Sequence, residues 1–147
     1  MYQHILVPTD GSELSAKAVQ HAIGLAKALG ARMTAVYASP EFPVPIILEG
    51  VVLEPMSLDD YEDRARELAQ RILEGVAKEA ERAGVRCEVV HRSTGVPWEA
   101  ILDTATNVGA DVITMASHGR RGLAALLLGS ETQRVLIHTE LPVIVVR

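Results

Sequence analysis

The chain has 147 residues, 48% of them hydrophobic and 22% charged, which is the balance of a globular chain long enough to bury a core; one domain over residues 1–147 is expected. A formal net charge of -5 and only 3% aromatic residues argue against a general nucleic-acid or anionic-membrane binder and against a base-stacking platform. The single Cys87 excludes an intrachain disulfide and fits a reducing compartment. Met1-Tyr2-Gln3-His4 is not a basic stretch leading into an apolar run, and no apolar run nears the roughly 20 residues of a membrane-spanning helix. Neither a signal peptide nor membrane insertion is expected.

Residues 5–8, Ile-Leu-Val-Pro, are a short apolar run suited to a strand buried on both faces. Thr9-Asp10-Gly11 ends it, and Ser12 caps a helix with Glu13 in its first turn. Leu14, Ala18, Ala22, Leu25, Ala26 and Leu29 recur at helical spacing until Gly30 stops them. Asp10 therefore falls at the carboxyl end of the first strand, where open α/β sheets bind ligands; a turn or capping role is the alternative for Asp-Gly. Residues 33–38 read as a second strand. Pro40, Pro43, Pro45 and Pro55 make 39–55 a loop and exclude a central strand or a long helix there. It is long for a connection, and its apolar run 44–52 reads as cover for a pocket or as a partner surface.

Ser57 and Asp60 open a helix running to Ala83, with Gly84 beyond it. Leu68, Ile72, Leu73, Val76 and Ala80 mark its buried face; Glu62, Arg66, Glu67 and Arg71 belong to a solvated one. Residues 85–91 alternate as a third strand. Pro97, behind Gly95-Val96, starts a helix whose inward residues are Ile101, Leu102, Ala105 and Val108, and Gly109 ends it. Trp98 reads as a packing residue. Residues 112–115 are a fourth strand. A helix opens at Gly129-Ser130 and is regular over 132–138, and Leu141-Pro142 leads into a last strand, Val143–Val146.

Strands that alternate with helices predict an α/β fold, an open doubly wound sheet of five parallel strands with helices on both faces. Its ligand crevice lies outside the carboxyl ends of the strands, where the winding reverses, and Asp10, Ala38 and the 116–130 loop all fall there. That loop carries Gly119, Gly122 and Gly129 and runs into a helix start. Glycines let a backbone approach an anion, and free N–H groups at a helix start point at it; glycines that only make turns would give the same pattern. There is no Gly-x-x-x-x-Gly-Lys-[Ser/Thr] loop, and the histidines at 4, 21, 91, 118 and 138 have no metal-ligand spacing.

The opening Ile5-Leu6-Val7-Pro8-Thr9-Asp10-Gly11-Ser12 and the closing Leu141-Pro142-Val143-Ile144-Val145-Val146 resemble the first and last strands of universal stress proteins. The resemblance covers essentially the whole length and extends to the ATP pattern of the family's nucleotide-binding branch: Gly, two residues, Gly, nine residues, Gly, then Ser or Thr. Gly119, the spacer 120–128 and Gly129-Ser130 match it, and Ala116 replaces the first glycine. The resemblance implies a Rossmann-like, adenine nucleotide alpha hydrolase-like domain that binds ATP, ADP or AMP, with or without magnesium. It implies that Asp10 holds the ribose hydroxyls, that the backbone of Ala38 reads the adenine edge, and that Pro8 and Thr9 line the adenosine pocket. Ala116 and Gly119 would pass the ribose and phosphates, and Gly129, Ser130, Glu131 and Thr132 would offer N–H groups and hydroxyls to the phosphates. Met115, His118, Arg120, Arg121 and Gly122 belong to the same expected site.

The resemblance further implies a cytoplasmic homodimer through Val143–Val146, an apolar strand whose open edge invites pairing. It implies a protein that couples nucleotide state to a client of unknown identity. A weak ATPase, or self-phosphorylation at Ser130 or Thr132, is the enzymatic alternative, and a dimeric interaction module without nucleotide is another. Glu131 departs from the apolar or small residue common in the family. Its carboxylate beside a triphosphate must turn to solvent or meet a cation, and Arg120, Arg121 or a divalent ion are the expected candidates.

Overall fold

Residues 5–7 are fully buried because both of their faces are covered: Ile5 and Val7 turn to one layer of helices and Leu6 to the other. The computed structural model describes residues 1–41, 46–48, 51–53, 57–119 and 127–147. Its elements are β1 (His4–Pro8), α1 (Glu13–Leu29), β2 (Arg32–Ser39), β3 (Ile46–Leu48), β4 (Val51–Leu53), α2 (Leu58–Arg82), β5 (Cys87–Ser93), α3 (Pro97–Val108), β6 (Val112–Ala116), α4 (Ser130–His138) and β7 (Val143–Val146). Five strands form one parallel sheet in the order β5-β2-β1-β6-β7. This is the open doubly wound α/β architecture that the sequence pattern predicts.

The helical stripes find the sheet as their spacing requires. Val19, Ala22 and Ala26 of α1 and Leu73, Val76 and Ala80 of α2 pack on Ile5, Met33 and Tyr37. On the other face Ile101 and Ala105 of α3 and Val135 of α4 pack on Leu6, Val36 and Ile113. The Ser12 hydroxyl accepts the Ser15 N–H at 3.2 Å and so caps α1. Ser57 does the same for Asp60 at the start of α2. Among the described residues no helix is long and apolar enough to cross a membrane.

Several boundaries differ from the sequence reading. The third sheet strand spans Cys87–Ser93 rather than 85–91. Val85 is buried, but in the turn after α2, where its N–H donates to the Ala80 carbonyl at 2.9 Å; burial without strand pairing gave it a strand-like signature. The 39–55 loop contains a hairpin, β3 with β4, pairing Ile46 with Leu53 and Leu48 with Val51. The apolar β-branched run there satisfies its backbone in a separate two-stranded sheet, consistent with prolines that bar it from the central one. The second strand reaches Ser39, and α4 begins at Ser130. Val143–Val146 does form an edge strand, with each of its residues half-buried.

Candidate functional site

The winding of the sheet reverses between β1 and β6: from β1 the chain moves outward through β2 to β5, and from β6 outward to β7. Connections that leave in opposite directions open a crevice at the carboxyl ends of the two strands. Asp10 follows β1, and residues 117–119 follow β6. A Cβ placed on Gly119 would lie 2.6 Å from Asp10 Oδ2, so the Asp10 carboxylate, as it stands, occupies space that the glycine leaves open. Asp10 Oδ1 accepts the Ser12 N–H at 2.9 Å. The carboxylate thus performs the turn role open to Asp-Gly with one oxygen while the other faces Gly119.

The neighbours of Asp10 are held firmly. Pro8 ends β1 half-buried. Thr9 is buried; its N–H donates to the Val36 carbonyl at 2.9 Å, and its hydroxyl lies 3.1 Å from Ser15 Oγ and accepts the Gly11 N–H at 3.2 Å. The Thr9 hydroxyl therefore serves the turn between β1 and α1. Pairing of β1 with β2 ends at Pro8–Val36. Ala38 lies two positions beyond, and strand alternation turns its N–H and C=O to the side that β1 has vacated. Further out, Ser39 Oγ lies 2.7 Å from His91 Nε2, and burial together with the Arg66 charge lowers the His91 pKa.

At the end of β6 the main chain carries the geometry. Met115 packs its side chain in the core beneath α3 and α4. Ala116 pairs regularly with Val146 in the strand, so alanine meets no obstacle where the family pattern has its first glycine. The Ala116 carbonyl accepts the hydroxyl of the buried Thr132 at 3.0 Å. Ser117 donates its N–H to Val146 at 2.8 Å and accepts the Gly129 N–H at 2.7 Å. A Cβ on Gly129 would come within 2.9 Å of His118 Cα. His118 Nδ1 lies 3.2 Å from Ser117 Oγ. Ser117, which sequence reading passed over, is therefore the knot between β6 and α4; a buried serine between a strand and a glycine has no distinguishing sequence signal.

The start of α4 has no capping side chain, so its first-turn N–H groups present the positive end of a helix. Ser130 is exposed there, whereas Thr132 is buried with its hydroxyl committed to Ala116. The described partners of Glu131 are the Trp98 N–H, 2.9 Å from Oε2, and Arg134 Nη1, 3.6 Å from Oε1. Arg120, Arg121 and Gly122 lie outside the described residues. Asp10, Ala38, Gly119, Gly129 and Ser130 are thus gathered about one end of the sheet, and the Met115 side chain points into the core instead.

A family model described as the universal stress protein family matches residues 1–147. The universal stress protein MJ0531 of Methanocaldococcus jannaschii is 36% identical over 148 residues, covering 100% of this chain and 83% of the relative. The structure of universal stress protein UspA from Lactobacillus plantarum superposes with a TM-score of 0.82 at 25% identity, over 99% of this chain and 98% of that one. A universal stress protein solved in complex with cAMP superposes with a TM-score of 0.72 at 26% identity, over 99% and 97% of the two chains.

Proposed function

We propose that this chain, which belongs to the universal stress protein family, binds an adenine nucleotide in the crevice between β1 and β6. The observation that carries this is the close approach of Asp10 Oδ2 to Gly119, into the space a Cβ there would take, beside a helix start without a cap. The relative solved with cAMP supports the ligand class.

In this reading Asp10 Oδ2 takes the ribose hydroxyls, and the exposed backbone edge of Ala38 takes the adenine. Pro8, Thr9, Ala116 and Gly119 shape the wall through their main chain. The phosphates rest on the N–H groups of Ser130, Glu131 and Thr132, with the Ser130 hydroxyl beside them and His118, Arg120, Arg121 and Gly122 in the sequence leading to them; the Gly129 N–H, expected among these donors, is instead spent on the Ser117 carbonyl. The buried Thr132 hydroxyl supports the helix start, so self-phosphorylation, as the enzymatic variant of this reading, falls on Ser130. Magnesium, where it takes part, would come with ATP and be held chiefly through its phosphates.

The edge strand β7 pairs with a second copy of the chain. The dimer works in the reducing cytoplasm, where the lone Cys87 stays a thiol. There it passes its nucleotide state to a protein client.

The test is to strip the purified protein of small molecules and titrate it calorimetrically with adenosine, AMP, ADP and ATP, with and without magnesium. Saturable heat near one nucleotide per chain is expected. No heat at millimolar ATP would leave a dimeric interaction module as the function.

A further inference from the structure

Helix α3 begins without a cap of its own. Val96 precedes it with a side chain that can accept nothing, and Pro97 occupies its first turn. The Trp98 N–H, one of the donors that a helix start leaves unsatisfied, is met by a carboxylate 33 residues away, Glu131 Oε2 at 2.9 Å. Glu131 belongs to the first turn of α4, so a single carboxylate lies against the positive ends of two helices. Arg134, one turn further along α4, approaches the other oxygen at 3.6 Å.

Trp98 holds α4 a second time. Its ring stacks on His138 at the far end of that helix, with centroids 4.3 Å apart and planes 26° from parallel. Residue 98 therefore grips α4 at its first turn through the main chain and at its last residue through the ring. On the opposite side the same first turn hangs from β6 through Gly129 to Ser117 and Thr132 to Ala116. Among the described hydrogen bonds, removing the Glu131 carboxylate leaves the start of α4 without its tie to α3 and still tied to the end of β6.

We propose that Glu131 is a positioning residue of the anion-binding turn: by capping α3 it fixes the first turn of α4 and commits its own charge to Trp98 and Arg134 rather than to the phosphate site. This rests on the nucleotide reading above and adds to it an order of importance within the helix start. Glutamine at 131 keeps the accepting oxygen and loses the charge; alanine loses both.

The experiment compares wild type, Glu131→Gln and Glu131→Ala by titration with adenosine and with ATP, and by amide hydrogen exchange at Trp98 without any nucleotide. In Glu131→Ala the Trp98 amide exchanges faster, and ATP affinity falls roughly fivefold to tenfold while adenosine affinity falls much less. In Glu131→Gln the Trp98 amide regains its protection and ATP affinity returns at least to the wild-type value. Adenosine and ATP weakening together, glutamine failing to rescue, or an unchanged Trp98 amide in the alanine variant would each overturn the proposal. A wild-type protein that binds neither ligand would contradict the nucleotide reading itself, while the Trp98 amide would still decide whether Glu131 caps α3.

Discussion

Gly129→Ala is expected to lower both the stability of the protein and its hold on ATP. The new Cβ would stand 2.9 Å from His118 Cα and 3.1 Å from His118 Cβ, with the Ser117 carbonyl at 3.4 Å. The first of these is main chain, which cannot rotate away, so the segments after β6 and before α4 must separate. The Gly129 backbone, at φ -61° and ψ 152°, is open to any residue, and the obstacle is therefore crowding rather than conformation. Overpacking of this kind costs about 1–3 kcal/mol, read as a lower denaturant midpoint. Separation also breaks the 2.7 Å bond from Gly129 to Ser117 and shifts the helix start it sets. ATP affinity should fall by more than about tenfold, the equivalent of roughly 1.4 kcal/mol. An unchanged midpoint with unchanged affinity would mean that the junction yields freely and that Gly129 is only a turn residue.

Gly119→Ala is expected to separate the two effects. Its Cβ would meet Asp10 Oδ2 at 2.6 Å, and the obstacle here is the tip of a side chain that can turn aside. Turning it strains or breaks the 2.9 Å bond from Ser12 to Asp10 Oδ1, a loss of about 0.5–1.5 kcal/mol at most. The ligand loses more. Asp10 leaves the place from which it would grip the ribose, and the new methyl group fills the gap, so adenosine and ATP should both weaken by at least about tenfold. This signature differs from that of Glu131→Ala, where the deficit follows the phosphates. Titration with both ligands distinguishes them. Full adenosine affinity in Gly119→Ala would remove Asp10 from the site.

Much of this architecture is legible in local pattern. The short apolar runs at 5–8 and 112–115 and the helical stripes of α1, α2 and α3 each point to one layer, and the layers assemble as that alternation requires. Capping residues mark their helices because their bonds are local, as at Ser12 and Ser57. The misplaced edges have a common cause: burial and pairing are different things. Val85 is buried without pairing in the sheet, and the run at 46–53 pairs outside the main sheet.

The site divides along the same line. Asp10, Gly119 and Gly129 could be picked out by residue type, but the reasons for the glycines could not. Glycine at 119 leaves room for a side chain more than a hundred residues earlier, and glycine at 129 for the backbone of His118. The partners of Glu131 show both cases. Arg134 stands three residues on, at a spacing that could have been read, whereas the expected partners Arg120 and Arg121 stand eleven and ten residues before Glu131 and lie outside the described residues. The Trp98 N–H could not be foreseen, because only the packing of α3 beside α4 brings it near. Residue type alone marks the Thr132 hydroxyl as a phosphate contact, whereas its bond to the Ala116 carbonyl places it in the support of the helix instead.

Amide hydrogen exchange of the wild-type protein, with and without saturating ATP, tests the central claim most directly because it reports where the nucleotide rests. The account predicts slower exchange at Asp10, Gly11 and Ser12, at Ala38, at Gly119, and at Ser130, Glu131 and Thr132, with little change along α2 and β5. Protection confined to the open groove lined by Glu74, Lys78, Glu81 and Cys87, far along the chain from those segments, or no protection at the start of α4, would contradict it.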